Sequence, residues 1–194
     1  ERCSVTGKRA LPGELERCAV SGQRAMKSQM VTSSLAGERL LESKAIRSLS
    51  GKFCTPSEAR RCVWSDRVSH PDDIRTCQLT GLSIHSYFST VNGPARLQPL
   101  ADMLDGVNRA ADETGIWGAV AAIIGRALKG GKCQVEAAVL SPSRSYLAAC
   151  CQVKSFLGFR VNHVGAVFDM RAQSIAGRVA EGKRTGATWT SGSH

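Results

Sequence analysis

Four cysteines and two histidines of this chain fall at matching places in a repeated pattern, and these residue types hold metal ions. Cys3, Cys18, Cys62 and Cys77 each open a five-residue segment that ends in Gly or Asp. Zinc takes thiolate and imidazole ligands in a tetrahedron, so four equivalent thiols point to one all-cysteine zinc site or to two smaller ones. The turn that follows each cysteine would aim backbone N–H groups at its sulfur, the support a thiolate ligand needs. His70 and His85 would complete a second site with Cys62 and Cys77, or with Cys54, and spacing leaves the grouping open. The competing reading makes each cysteine a small buried hydrophobe and each histidine structural, since His70 precedes Pro71 and His85 sits in a strand-like run.

Cations recur beside the same segments: Lys8, Arg9, Arg24, Arg39, Lys52 and Arg67, with Arg17, Arg61 and Arg75 ahead of three of them. Cationic side chains next to turn amides make a phosphate-contacting edge. Aromatics are few here (Trp64, Tyr87, Phe88), which favours contact with a nucleic-acid backbone over base stacking. The net charge is +10, shared as +5 in residues 1–90 and +5 in the rest, and it favours nucleic acid, acidic proteins or anionic surfaces as partners. For catalysis the predicted strands offer only Glu136, His163 and Asp169, and nothing in their spacing brings them together. No phosphate loop, GxSxG or HExxH is present. Neither an enzyme nor a small-molecule substrate is therefore expected.

The elements that must position these groups come from a repeat. At a step of fifteen the chain aligns Cys3–Gly7, Cys18–Gly22, Ser33–Gly37, Arg47–Gly51, Cys62–Asp66 and Cys77–Gly81, with one step of fourteen before the fourth copy. The third position is always apolar: Val5, Val20, Leu35, Leu49, Trp64 and Leu79. Eight residues past each start lie Leu11, Met26 and Leu41, then His70 and His85 in the last two copies; twelve past lie Leu15, Met30, Ala45, Ala59 and Ile74. Such agreement over several columns marks a repeat architecture. Ser/Thr-Gly after extended residues is a turn with Gly at positive φ, and Asp66 tolerates that region. Each copy is thus a short β-hairpin, too small to be stable alone.

Beyond Thr90 the Val91–Pro94 segment marks a boundary. Apolar residues at Leu97, Leu100, Leu104, Val107 and Ala111 predict one helix, and Ile116 to Leu128 predicts a second, ended by Lys129-Gly-Gly-Lys132. Strands are expected over 133–140, 145–153, 160–170 and 174–180, with turns at Ser141–Arg144 and Met170–Gln173. Cys133, Cys150 and Cys151 read as core, and Arg160, Arg171, Arg178, Lys183 and Arg184 as a basic sheet edge. The expected fold is α+β: a hairpin array over 1–90, then over 91–190 two helices covering one face of a four-stranded antiparallel meander. Residues 191–194 read as a linker-and-tag remnant, and the opening at Glu1 as a piece cut from a longer protein. The longest apolar run is too short to span a bilayer, and eight cysteines without a secretory signal favour a reducing, cytoplasmic setting.

The Cys-x-x-Thr/Ser-Gly segments, as in Cys3 to Gly7 and Cys77 to Gly81, resemble half-knuckles of zinc-ribbon proteins, although each carries one cysteine. That resemblance covers residues 1–90 and implies a zinc-stabilised accessory module of nucleic-acid machinery. A knuckle array before a small α+β domain also looks like the accessory end of a large bacterial helicase-type ATPase. The expected function is binding of a DNA or RNA backbone, alongside other domains of a parent protein. The alternative is a protein-docking module that selects an acidic partner, with affinity little changed by salt.

Overall fold

In the computed structural model the described residues are 1–107, 115–128, 132–154 and 161–192; Ala111, Lys129, Arg160 and His194, each part of an expectation above, lie outside them. No helix among the described residues is long and apolar enough to cross a membrane. The chain divides into two compact units, Glu1–Cys62 with Arg67–Ile74, and Val63–Asp66 with Arg75–His194.

The repeat segments fold as hairpin turns. Strands β1 (Leu15–Arg17) and β2 (Arg24–Met26) pair across the Cys18 turn, and β3 (Met30–Thr32) and β4 (Arg39–Leu41) across the Ser33 turn. Then β5 (Ile46–Arg47) pairs with β6 (Phe53–Cys54), β7 (Arg60–Arg61) with β8 (Val68–Ser69), and β9 (Ile74–Thr76) with β10 (Ser83–His85). The Cys3 turn is closed by a bridge between Arg2 and Arg9. The fifth turn position has positive φ throughout, from 59° at Asp66 to 85° at Gly51, so Asp66 does stand in for glycine.

The fourth copy differs from its sequence alignment. Ser48, not Arg47, is buried at the first position, and Ser48 N–H donates to Lys52 O where the other first residues reach one residue further. The missing residue of the fourteen-residue step is therefore lost from the turn itself, which spans Ser48 to Gly51.

Within the first unit the hairpins stack through one recurring bond. The second residue of each turn donates its N–H to the next hairpin: Ser4 to Arg24 O, Ala19 to Arg39 O, and Ser34 to Phe53 O, at 2.8–2.9 Å. At the shortened fourth turn a side chain replaces the carbonyl, and Leu49 N–H donates to the carboxylate of Asp73 at 3.0 and 3.3 Å. Asp73 is buried, so this bond satisfies both a buried acceptor and an amide that would otherwise lack a partner. Beneath the first turns lies a core of Cys3, Leu15, Cys18, Ala25, Met30, Leu40 and Leu41.

Short turns join each hairpin to the next, most of them 3-10, and in the last two copies the residue at position eight caps the turn with its side chain. His70 Nδ1 accepts from Asp72 N–H and His85 Nδ1 from Tyr87 N–H, both at 3.1 Å. In the shortened copy Thr55 takes the role: its hydroxyl accepts from Glu58 N–H, and Glu58 returns a bond to Thr55 N–H at 2.7 Å, a capping box. Ser33 also donates to this carboxylate, at 2.8 Å. The Thr55 amide foremost, with the Ser33 and Thr55 hydroxyls, outweighs partial burial and holds the Glu58 carboxyl below its ordinary range. A depressed carboxyl stabilises the fold above its unfolded pKa, and that stability is lost as pH falls through the folded value. Glu58→Gln is expected to lower the denaturation midpoint at pH 7, with the gap to wild type closing as pH drops below the ordinary carboxylate range. A pH-independent gap would show that the charge is not responsible.

The second unit holds a five-stranded antiparallel meander of β11 (Lys132–Leu140), β12 (Tyr146–Lys154), β13 (Val161–Asp169), β14 (Ser174–Thr185) and β15 (Thr188–Ser191), in chain order. The expected four strands are present. The fifth arises because β14 runs on to Thr185 and turns back through Gly186, so Ser191, read as part of a tag remnant, lies in a strand. Helices α1 (Gln98–Leu104) and α2 (Trp117–Ala127) cover opposite faces rather than one. Val120 and Ile124 of α2 join Cys151, Val164 and Ala166, whereas Leu100 and Leu104 of α1 lie against Gly165. Successive residues of a strand point to opposite faces, so Gly165 cannot share a face with Val164 and Ala166.

Candidate functional site

Cys3, Cys18, Cys62 and Cys77 are all buried, each in its own hairpin, as are Cys54 and His70. Their sulfurs serve the stack: Cys18 Sγ accepts from Ser21 N–H and Leu41 N–H at 3.4 and 3.3 Å, and Cys77 Sγ accepts from Leu97 N–H at 3.3 Å. These donors stabilise thiolate. Cys3 is lowered to about 7, first by the Thr6 hydroxyl and then its amide; Cys18 is lowered to about 7 because the Ser21 hydroxyl and nearby amides overcome its burial. Cys54 is pushed the other way by burial and by the carboxylates of Glu58, Asp72 and Asp73. His70 Nε2 meets Ser34 Oγ at 3.1 Å, and that hydroxyl donates to Phe53 O, so the neutral ring carries its proton on Nε2. The turns are chemically suited to thiolate, but among the described residues no three Cys, His, Asp or Glu side chains converge.

The six cations divide evenly. Arg24 pairs with Glu1 at 2.6 Å and Arg39 with Glu16 at 2.7 Å, the same step along the repeat, and Lys52 pairs with Asp72 at 2.9 Å. Exposed pairs of this kind contribute little stability, but they occupy three of the proposed phosphate contacts. Lys8, Arg9 and Arg67 are exposed.

On the sheet, two of the acid–base candidates do meet. Register shifts between Val135 and Ala137, leaving Glu136 as a bulge residue, and bulges re-aim side chains. Its carboxylate lies 3.6 Å from His163 Nε2 and 3.9 Å from the Arg184 guanidinium. Arg184 itself donates to Leu104 O and Met103 O at the end of α1, at 2.6 and 2.8 Å. Burial, and then the Arg184 charge, lower His163, while Glu136 opposes them. Burial raises the neighbouring Cys150 to about 11. Asp169 is elsewhere and caps a turn through Arg171 N–H and Ala172 N–H. A cavity of about 260 Å³ among the described residues is lined by residues such as Thr90, Arg96, Asp102 and Asp105, and not by these groups.

What the sequence did not disclose is the exposure of the third turn position. Val5, Val20 and Leu35 are 49%, 43% and 50% exposed, while Trp64 and Leu79 are 2% and 7% exposed; Leu49, which the shortened fourth turn places second, is 74% exposed. The buried pair belongs to the second unit, where sheet residues close over the turn carbonyls. Ser143 Oγ donates to Trp64 O at 3.3 Å, Arg178 N–H to Thr80 O at 2.9 Å, and the Arg178 guanidinium to Gln78 O and Leu79 O. No donor among the described residues reaches the equivalent carbonyls of Val5, Val20 or Leu35. In the alignment all six positions look like core, because only packing distinguishes a covered turn from an open one. The chain matches no protein-family model, no curated protein and no solved structure.

Proposed function

We propose that this chain is a protein-docking module whose contact surface is the row of hairpin turns in its first unit. The observation that carries this reading is the contrast at one repeat position: apolar residues exposed at Val5, Val20 and Leu35, with Leu49 exposed beside them in the shortened turn, and covered by protein in the two turns that meet the sheet. Equivalent positions of stacked repeats form rows, which repeat proteins use for binding. Four adjacent apolar tips among cations form a patch of the sort that marks an interaction site. The nucleic-acid reading is the second, supported by the exposed Lys8, Arg9 and Arg67 and by the net charge of +10.

The two separate in one experiment on the full chain. Panning a displayed library of random dodecamer peptides should enrich binders on wild type that Val20→Asp/Leu35→Asp does not retain. Labelled DNA and RNA oligonucleotides should bind weakly, and equally to both proteins. If no peptide is enriched, and the oligonucleotides bind tightly with affinity falling steeply between about 50 and 200 mM salt, nucleic acid takes first place.

A further inference from the structure

We infer that the turn row binds an extended, acidic segment of another protein, laid across Val5, Val20 and Leu35 with its carboxylates on the arginines that precede the turns. This rests on the docking reading and adds the form and the charge of the partner.

The form comes from the chain's own covered turn. What lies on Thr80 is a strand, β14, at the point where its register slips between Gly165 and Val167 of its neighbour. A backbone amide of that strand, Arg178 N–H, caps the turn carbonyl. Gly177 beside it sits so close to Thr80 O that a Cβ would overlap the carbonyl, so the approach is backbone to backbone. Thr6, Ser21 and Ala36 occupy the same repeat position as Thr80, and none of their carbonyls accepts from the described residues. An extended segment brings amides to such carbonyls and apolar side chains to the tips between them, which are the two components of strand-type peptide recognition.

The charge comes from the residue just before the turn. Arg2, Arg17 and Arg47 are exposed and stand immediately ahead of the first, second and fourth turns. Arg17 folds over its own turn, its guanidinium 3.4 Å from where a Cβ on Gly22 would stand; Arg47 lies 3.8 Å from the same point on Gly51 and 5.8 Å from the centre of the Phe53 ring. Guanidinium groups are thereby held beside the exposed tips. Among the described residues neither Arg17 nor Arg47 is paired with a carboxylate, while Arg24 and Arg39 already are. A partner with carboxylates alternating with apolar residues meets both features, whereas a basic segment would meet like charge at each step.

Sequencing the peptides enriched by the full chain tests this, with the affinity of one synthetic enriched peptide then measured against variants. The expected peptides carry Asp or Glu interspersed with aliphatic or aromatic residues. Arg17→Gln/Arg47→Gln should weaken the synthetic peptide at least tenfold, as should Val20→Asp/Leu35→Asp, with circular dichroism melting unchanged in both. Enriched peptides that lack acidic residues, and that are lost only with Val20→Asp/Leu35→Asp, would overturn the acidic partner and leave docking intact. Absence of enrichment, or binding indifferent to both variants, would overturn the two together.

Discussion

Trp64→Ala is expected to cost about 3–5 kcal/mol of stability, the usual loss for emptying a buried aromatic site, while Leu49→Ala should change it by no more than about 0.5 kcal/mol. The two residues are the apolar members of neighbouring turns, and on hydrophobicity alone they would be expected to behave alike. Trp64 is buried in the second unit, with its own carbonyl taken by Ser143, so truncation leaves a void that the hairpin and sheet must close. Leu49 is 74% exposed, and its structural contribution is made by the amide that donates to Asp73, which alanine keeps. Denaturant titration of the full chain measures both, provided the slope is unchanged. A loss below about 1 kcal/mol for Trp64→Ala would mean that the fifth turn is open like the first four.

Gly182→Val is expected to be as damaging by the opposite route. Gly182 lies on β14, paired with His163 on one side and Ser191 on the other. A Cβ there would overlap both the Trp189 ring and the carbonyl of Thr190, and the carbonyl cannot move aside without moving the strand. Trp189 is buried and anchored twice, by its indole N–H on His163 O at 3.0 Å and by its backbone N–H on Asp105 at 2.9 Å. Expelling β15 loses that burial as well as the strand pairing, and a total of at least about 3 kcal/mol is expected. Thermal melting measures it, with Gly118→Ala as the control: a Cβ at Gly118 meets nothing within 4 Å, and alanine in a helix is favourable by about 0.5–1 kcal/mol. Equal melting temperatures for wild type and Gly182→Val would show that the β14–β15 contact does not form.

Local chemistry was the legible part of this sequence. Gly7, Gly22, Gly37, Gly51, Gly81 and Asp66 all occupy the left-handed region that their turn chemistry requires, and the turns at Ser141–Arg144 and Met170–Gln173 separate the strands expected around them. Illegible were the features decided by tertiary packing. A gap of one residue does not reveal which side of Ser48 it falls on until burial selects that serine over Arg47. The recurrence of His70 and His85 signalled a shared position, but the position caps the turn between hairpins, a task that imidazole nitrogen and the Thr55 hydroxyl perform alike. Thr55-x-x-Glu58 was itself a readable capping-box signal. Glu136 and His163 lie 27 positions apart in the chain, and only a bulge, which has no fixed sequence mark, brings them within 3.6 Å. Likewise, hydrophobic periodicity shows that α1 and α2 each have an apolar side, but not that those sides meet opposite faces of one sheet.

The carboxylate of Asp73 standing in for a carbonyl has a consequence for how such a module changes over time. Each hairpin of the first unit engages the next through one amide and one acceptor, and at the shortened turn that acceptor comes from a side chain. A turn one residue short is thus accommodated locally, while the preceding turns keep the amide-to-carbonyl bond. A stack assembled this way can be lengthened or shortened in units of about fifteen residues, and on the docking proposal binding strength would follow the number of tips engaged more than the perfection of any one. Relatives with different numbers of hairpins would then form a graded series of affinities for the same kind of ligand.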